Sequence, residues 1–182
     1  MAAPGAITLK DLSGQWIMNK TLSGDTDTIL AMQGIDWVKR KTLSLVSLNL
    51  YIKQYVADGI THIDIGQMAG SLKGGDDNRI LDDLEHQRDD DLFGRITLKS
   101  RWIMVSEIFD PFLKEGWLDG HEELSGPSGE LLVQTVVKGD DWLADEILGF
   151  SLVGGDRRLT KRIVVRKGDD VKTVIIVYNF YC

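Results

Sequence analysis

Apolar and polar residues alternate along most of this chain, and short glycine–aspartate stretches interrupt the alternation. No other feature narrows the possible folds as much. In 95–104, RITLKSRWIM, one face carries Ile96, Leu98, Ser100, Trp102 and Met104, and the other carries Arg95, Thr97, Lys99 and Arg101. Successive side chains of a strand point to opposite sides, so this is a half-buried strand with its charges in water. In 48–55, LNLYIKQY, Leu48, Leu50, Ile52 and Gln54 oppose Asn49, Tyr51, Lys53 and Tyr55. Ala57-Asp58-Gly59 then reads as a hairpin turn, and 60–67, ITHIDIGQ, as the returning strand. The last third repeats the plan with LLVQTVV, WLADEILGFSLV, RRLTKRIVV and VKTVIIVYNFY. Between these lie Lys138-Gly139-Asp140-Asp141, Gly154-Gly155-Asp156 and Lys167-Gly168-Asp169-Asp170. They are read as hairpin turns rather than phosphate loops, because Gly and Asp supply the turn geometry and no helix follows to face a phosphate.

The strands number about ten: one at Trp16, two within 46–67, one near 78–84, a short one near 85–88, one at 94–104 and four from 131 onward. An antiparallel sheet of this length with one apolar face closes on itself and removes its edges. The chain is therefore expected to be all-β, a closed meander barrel over residues 1–182 as a single domain. The segment 12–41 is the exception to the alternation. Asp25 or Thr26 can cap a helix carrying Ile29, Leu30 and Met32, Gly34 breaks it, and Asp36 can cap a second helix from Trp37 to Leu45. Inserted between the first two strands, such a pair would sit over one open end as a lid.

Composition excludes several classes of function. A net charge of -7 argues against nucleic acid or anionic membrane as partner, since both require clustered Lys and Arg. No apolar run approaches the roughly 18 residues of a membrane span. The opening MAAPGAITLK has no apolar signal region, and the single cysteine, Cys182, offers neither disulfide nor metal cluster. The expected location is the cytoplasm.

The order of these elements resembles the intracellular fatty-acid-binding proteins of the lipocalin (calycin) superfamily. The matching residues are Gly14-Gln15-Trp16 at the first strand, then Asp25, Asp27, Met32 and Gly34, then Trp37 and Arg40-Lys41 at the second helix. The likeness continues through 48–67 and 95–104, resumes at the last strand, and covers roughly three quarters of the chain. Small lipocalin-like proteins of fungi, which share a WxMNKTLS-like opening, resemble it more closely still. The resemblance implies a ligand cavity inside the barrel. It also implies an Arg-x-Tyr carboxylate anchor on the last strand, where this chain has Ile176 and Tyr178. A buried carboxylate without a cation is disfavoured, so a fatty acid is a poor ligand unless Lys161, inward by strand parity, replaces the Arg. A second departure is 105–130, a long excursion expected near the cavity mouth, either as a surface patch or as an extra wall over the opening.

Chemical motifs are few. The acidic run 80–91, ILDDLEHQRDDD, has the composition of a magnesium motif but not the helix that would align it, and is read as solvated charge. His62, His86 and His121 lack metal-ligand spacing, and no nucleophile motif or dinucleotide fingerprint is present. No metal or cofactor is expected. Strand parity, together with the resemblance, places Leu50, Ile52, Gln54, Ile63, Ile65, Gln67, Leu98, Ser100, Trp102, Met104, Ile163, Ile176 and Phe180 inside, with Trp37 on the lid, as ligand-binding candidates. Tyr178 and Lys161 are the candidate catalytic groups. An apolar pocket with a few donors suits an uncharged terpenoid or polyketide. Two functions fit. One is a passive carrier of a lipophilic metabolite. The other, favoured by the missing Arg, is a cofactor-free cyclase, since lipocalin-like scaffolds are known to serve pericyclic (Diels–Alder-type) cyclisations in natural-product pathways.

Overall fold

Strands that alternate in this way and turn every ten residues or so pair most readily with their neighbours in the chain, and among the described residues all consecutive strands but one pair do. The computed structural model describes residues 1–70 and 72–182. Among the described residues the strands are β1 (Gly14–Met18), β2 (Leu48–Ala57), β3 (Ile60–Ala69), β4 (Leu72–Ile80), β5 (Glu85–Asp90), β6 (Gly94–Ile103), β7 (Leu132–Lys138), β8 (Leu143–Val153), β9 (Asp156–Lys167) and β10 (Asp170–Phe180). They form one antiparallel sheet in the order β4-β3-β2-β1-β10-β9-β8-β7-β6-β5. Pairing of β1 with β10 (Trp16 opposite Phe180) curls the meander into a nearly closed barrel, as expected. The seam lies between β4 and β5, which share no ladder in the sheet. Side chains cross it instead: Arg88 Nη1 donates to Asp77 Oδ1 at 3.0 Å and to the Asp76 carbonyl at 3.2 Å.

The strand expected near 78–84 lies earlier in the chain. β4 runs Leu72–Ile80 because β3 offers it a partner along its whole length, from Ala69 opposite Leu72 to His62 opposite Ile80. This shift brings Asp77 into the sheet beside Arg79.

The helices fall where they are expected; at the first, Asp25 accepts from Asp27 N at 2.9 Å and Thr26 makes no cap bond. α1 spans Asp27–Met32 and α2 spans Trp37–Leu45. Asp36 accepts from Lys39 N at 3.0 Å, and Gly34 takes the left-handed φ of 84° that lets the chain reverse between the helices. α2 buries none of its residues, so polar ties must hold it. Arg40 donates to Asp27 Oδ1 at 2.9 Å and to the Ile35 carbonyl at 2.7 Å, and Lys20 Nζ donates to the Ser44 carbonyl at 2.6 Å. The pair covers one end of the barrel.

The opposite end is closed by the N-terminal residues. Ala3, Leu9 and Leu12 are buried in the main core with Trp16. Gln54 fastens this plug: its Oε1 accepts from Leu12 N at 3.0 Å, and its Nε2 donates to the carbonyls of Leu9 at 2.8 Å and Lys10 at 3.0 Å. Replacing Gln54 with Met keeps the volume and removes all three bonds. We expect a loss of about 1–3 kcal/mol, read as an earlier midpoint in urea unfolding with an unchanged slope.

In a meander, successive connections alternate between the two ends. The β6–β7 connection, 105–130, therefore leaves the barrel at the end away from the helices. Its Glu123 pairs with Arg157 at 2.6 Å, and Arg157 also donates to the Ile7 carbonyl of the plug at 2.8 Å. A short helix, α3 (Pro111–Lys114), lies against the outside of the sheet. Ile108 and Leu113 bury themselves there against Ile147 and Val164, with Phe112 and Trp117 alongside.

Candidate active site

Beneath the two helices the barrel encloses a cavity of about 520 Å³, within the range of small-molecule pockets. Its apolar wall includes Ile29 and Leu30 of α1, Leu43 of α2, Leu92, Phe93, Ile96, Leu98, Trp142, Ile163 and Ile176. Phe93 and Trp142 meet with ring centroids 5.4 Å apart, joining the β5–β6 and β7–β8 turns at the mouth. The glycine of a turn makes this possible, because a Cβ at Gly139 would stand 2.3 Å from the Trp142 ring.

The polar part of the lining is ionic. Arg79 is fully surrounded: it donates to Asp77 Oδ2 at 2.7 Å, Glu146 Oε2 at 3.0 Å and Thr135 Oγ1 at 2.9 Å. Lys161 Nζ lies 3.3 Å from Glu146 Oε2, and Arg88 adds Asp90 at 3.2 Å to its bond with Asp77. Three cations thus meet three carboxylates, and the cluster carries no net charge. Burial opposes the charge on Asp77, yet Arg79 and Lys161 hold its carboxyl well below the usual range. Burial likewise opposes Glu146, and Lys161 and Arg79 outweigh it. Both acids are carboxylates at neutral pH.

Tyr178 stands on the same inner face. It is 2 % exposed and lines the cavity. Burial raises its phenol above the ordinary value, with Lys161 pulling the other way, so the group keeps its proton. Among the described residues its hydroxyl has no hydrogen-bond partner, which leaves a neutral donor free for whatever enters.

Of the residues singled out in the sequence, Gln67, Leu98, Lys161, Ile163, Ile176 and Tyr178 come together around this cavity. The others lie elsewhere. Leu50, Ile52, Ile63 and Ile65 are packed in the core, and Phe180 stacks edge-on against Trp16 at 4.9 Å. Gln54 is taken up by the plug. Ser100 is taken up by Thr135, with their hydroxyls 2.9 Å apart. Trp102 packs at the edge of the core, Met104 is 40 % exposed beyond the end of β6, and Trp37 is 62 % exposed on the outside of α2. The two halves of the barrel explain the division. Among the described residues the cavity lies in the half under the helices, and the N-terminal plug and Trp16 fill the other.

Asp77, Arg79, Arg88, Asp90, Glu146, Phe93 and Trp142 were not foreseen. The acidic run, expected to be solvated, alternates within β5 instead: Arg88 and Asp90 face the cavity while Glu85, Gln87 and Asp89 face water. Strand parity held the signal for Glu146, which sits opposite Ile163 in the β8–β9 register and shares its inner face.

No protein-family model matches the chain. It is 30% identical to the probable pericyclase scpY of Mollisia scopiformis, over 98% of this chain and 94% of that protein. It is also 30% identical to the pericyclase pydY of an Acremonium species, over 99% of this chain and 97% of that one. Among solved structures it is similar in fold to a Schistosoma mansoni fatty acid binding protein in complex with arachidonic acid. That match has a TM-score of 0.58 and 11% identity, over 93% of this chain and 96% of that one.

Proposed function

We propose a function from one premise: this chain belongs to the same family as the two fungal pericyclases, on a lipocalin-like barrel of the fatty-acid-binding-protein type. The chain binds a lipophilic, uncharged small molecule of terpenoid or polyketide type in the cavity. There it templates a pericyclic, Diels–Alder-type cyclisation that needs no cofactor. The observation that carries this reading is the unpartnered Tyr178 hydroxyl in a cavity whose charged side chains are paired with one another.

A pericyclic step redistributes electrons around a ring of atoms in one event. No proton or leaving group passes to the protein, so the work left to the chain is orientation and polarisation. The apolar wall folds a flexible substrate so that its reacting carbons approach, which replaces an entropic cost otherwise met in solution. A carbonyl conjugated to the reacting alkene accepts from Tyr178. As the reaction proceeds the electron density on that oxygen grows, so the bond tightens in the transition state more than in the bound substrate. Lys161, on the neighbouring strand and held by Glu146, supplies a second donor to the same cavity. Every cation of the cluster is already paired, which supports an uncharged ligand over a fatty acid. The cytoplasm is the proposed site of action.

Tyr178→Phe tests the reading, because the ring and its packing stay. The rate of product formation from a linear polyene precursor is expected to fall roughly ten- to a hundredfold, with little change in binding. An unchanged rate would remove Tyr178 from the mechanism and leave shape alone. Tight binding of the product, with no rate or stereochemical change over background for the wild-type protein, would make it a carrier.

A further inference from the structure

Lys161 and Arg79 are cations that line the cavity, and one carboxylate oxygen lies within ion-pair distance of both. Glu146 Oε2 lies 3.0 Å from Arg79 Nη2 and 3.3 Å from Lys161 Nζ. The side chains are 4 % exposed for Arg79 and 14 % for both Lys161 and Glu146, so solvent does little to screen them. Arg79 keeps a second carboxylate, Asp77, at 2.7 Å, but Asp77 also serves Arg88. Lys161 has Glu146 alone as its ion-pair partner among the described residues.

A buried charge must be compensated, and the compensating group can come from the chain or from a ligand. If the Glu146 carboxylate became an amide, the balanced cluster would carry one positive charge in excess. That excess would centre on Lys161, an ammonium facing the apolar space. We infer that Glu146 is the specificity-determining residue that reserves this cavity for uncharged ligands. Without its charge, the same cavity becomes a site for long-chain carboxylates, whose head group takes the place of Glu146 beside Lys161. The inference rests on the reading that the cavity takes a lipophilic ligand, and not on that ligand being transformed there.

The test uses two probes with one shape: a long-chain fatty acid carrying a fluorescent anthroyloxy group, and the methyl ester of the same acid. Both are titrated against the wild-type protein and Glu146→Gln at pH 7. Wild type is expected to prefer the ester. Glu146→Gln is expected to tighten the acid at least about tenfold while the ester moves by less than about threefold. Adding Lys161→Met to Glu146→Gln should return the acid-to-ester ratio to the wild-type value. A merely structural role for Glu146 predicts loss for both probes and gain for neither. If Glu146→Gln does not fold, Asp77→Asn removes the carboxylate shared by Arg79 and Arg88, which also attracts Lys161, and should shift the ratio in the same direction. An unchanged ratio in the folded variant overturns the inference, and so does failure of the ester to bind wild type. Failure of the catalytic reading shows separately, as an absence of rate over background in a protein whose ratio still responds to Glu146.

Discussion

Arg79→Met is expected to destabilise the barrel by about 3–5 kcal/mol, the usual cost of removing one partner from a buried ionic cluster. The total stability of a domain this size is about 5–15 kcal/mol, so the change is large. The guanidinium holds Asp77, Glu146 and Thr135 at once, and its removal leaves two buried carboxylates short of a cation. Equilibrium urea unfolding measures the loss, and pH separates it from a simple packing defect. In the wild-type protein the carboxyls of Asp77 and Glu146 are held below their usual range. Their stabilisation is therefore complete above the unfolded-chain values of about 4, and is lost as pH falls below them. In Arg79→Met the same carboxylates favour their protonated forms. The deficit of the variant should be widest near neutrality and should narrow below about pH 4. A deficit that stays constant with pH would assign the effect to packing.

Trp16→Ala is expected to cost about as much, 3–5 kcal/mol or somewhat more, for a different reason. Trp16 has no exposed surface and forms the floor between the plug and the hollow half of the barrel. Phe180 meets it edge-on at 4.9 Å and Phe150 at 6.3 Å, and its Nε1 donates to the Leu12 carbonyl at 2.9 Å. Truncation opens a void in this floor and leaves the Leu12 carbonyl without its donor. The thermal midpoint should drop sharply and, unlike Arg79→Met, show no recovery at acid pH. If the variant unfolds within a few tenths of a kcal/mol of wild type, the plug and floor are not the structural anchor that the packing describes.

Much of the fold was legible in the chain because period two is a local property. RITLKSRWIM has only one half-buried arrangement, and β6 adopts it from Ile96 to Arg101, before Ile103 joins the outer cluster and Met104 faces solvent. Asp36 and Gly34 act within a few residues of themselves, so the second helix begins where its cap stands. The site was less legible. Tyr178, Lys161, Ile163 and Ile176 follow from strand parity together with the family resemblance, which marks the positions of Ile176 and Tyr178 on the last strand. The rule that charges face water gave no reason to look for Asp77, Arg79 and Glu146 inside, and each of them is buried or nearly so.

Lys-Gly-Asp-Asp at 138–141 and 167–170 lies at hairpin turns, as its local chemistry dictates. The similar run at 73–77 lies within β4, because β3 presents a free edge there and the backbone ladder outweighs turn propensity. The sequence by itself thus determined which segments are strands of a meander, where the lid is inserted, and which side of most strands faces in. Tertiary structure alone decided that the barrel is solid at the plug end and hollow under the helices, and that the hollow contains a balanced set of ions. The physical reason is closure. Once the sheet closes, an inward side chain cannot return to solvent without breaking the register of its strand. Asp77, Arg79, Glu146 and Lys161 therefore satisfy one another across strands far apart in the chain.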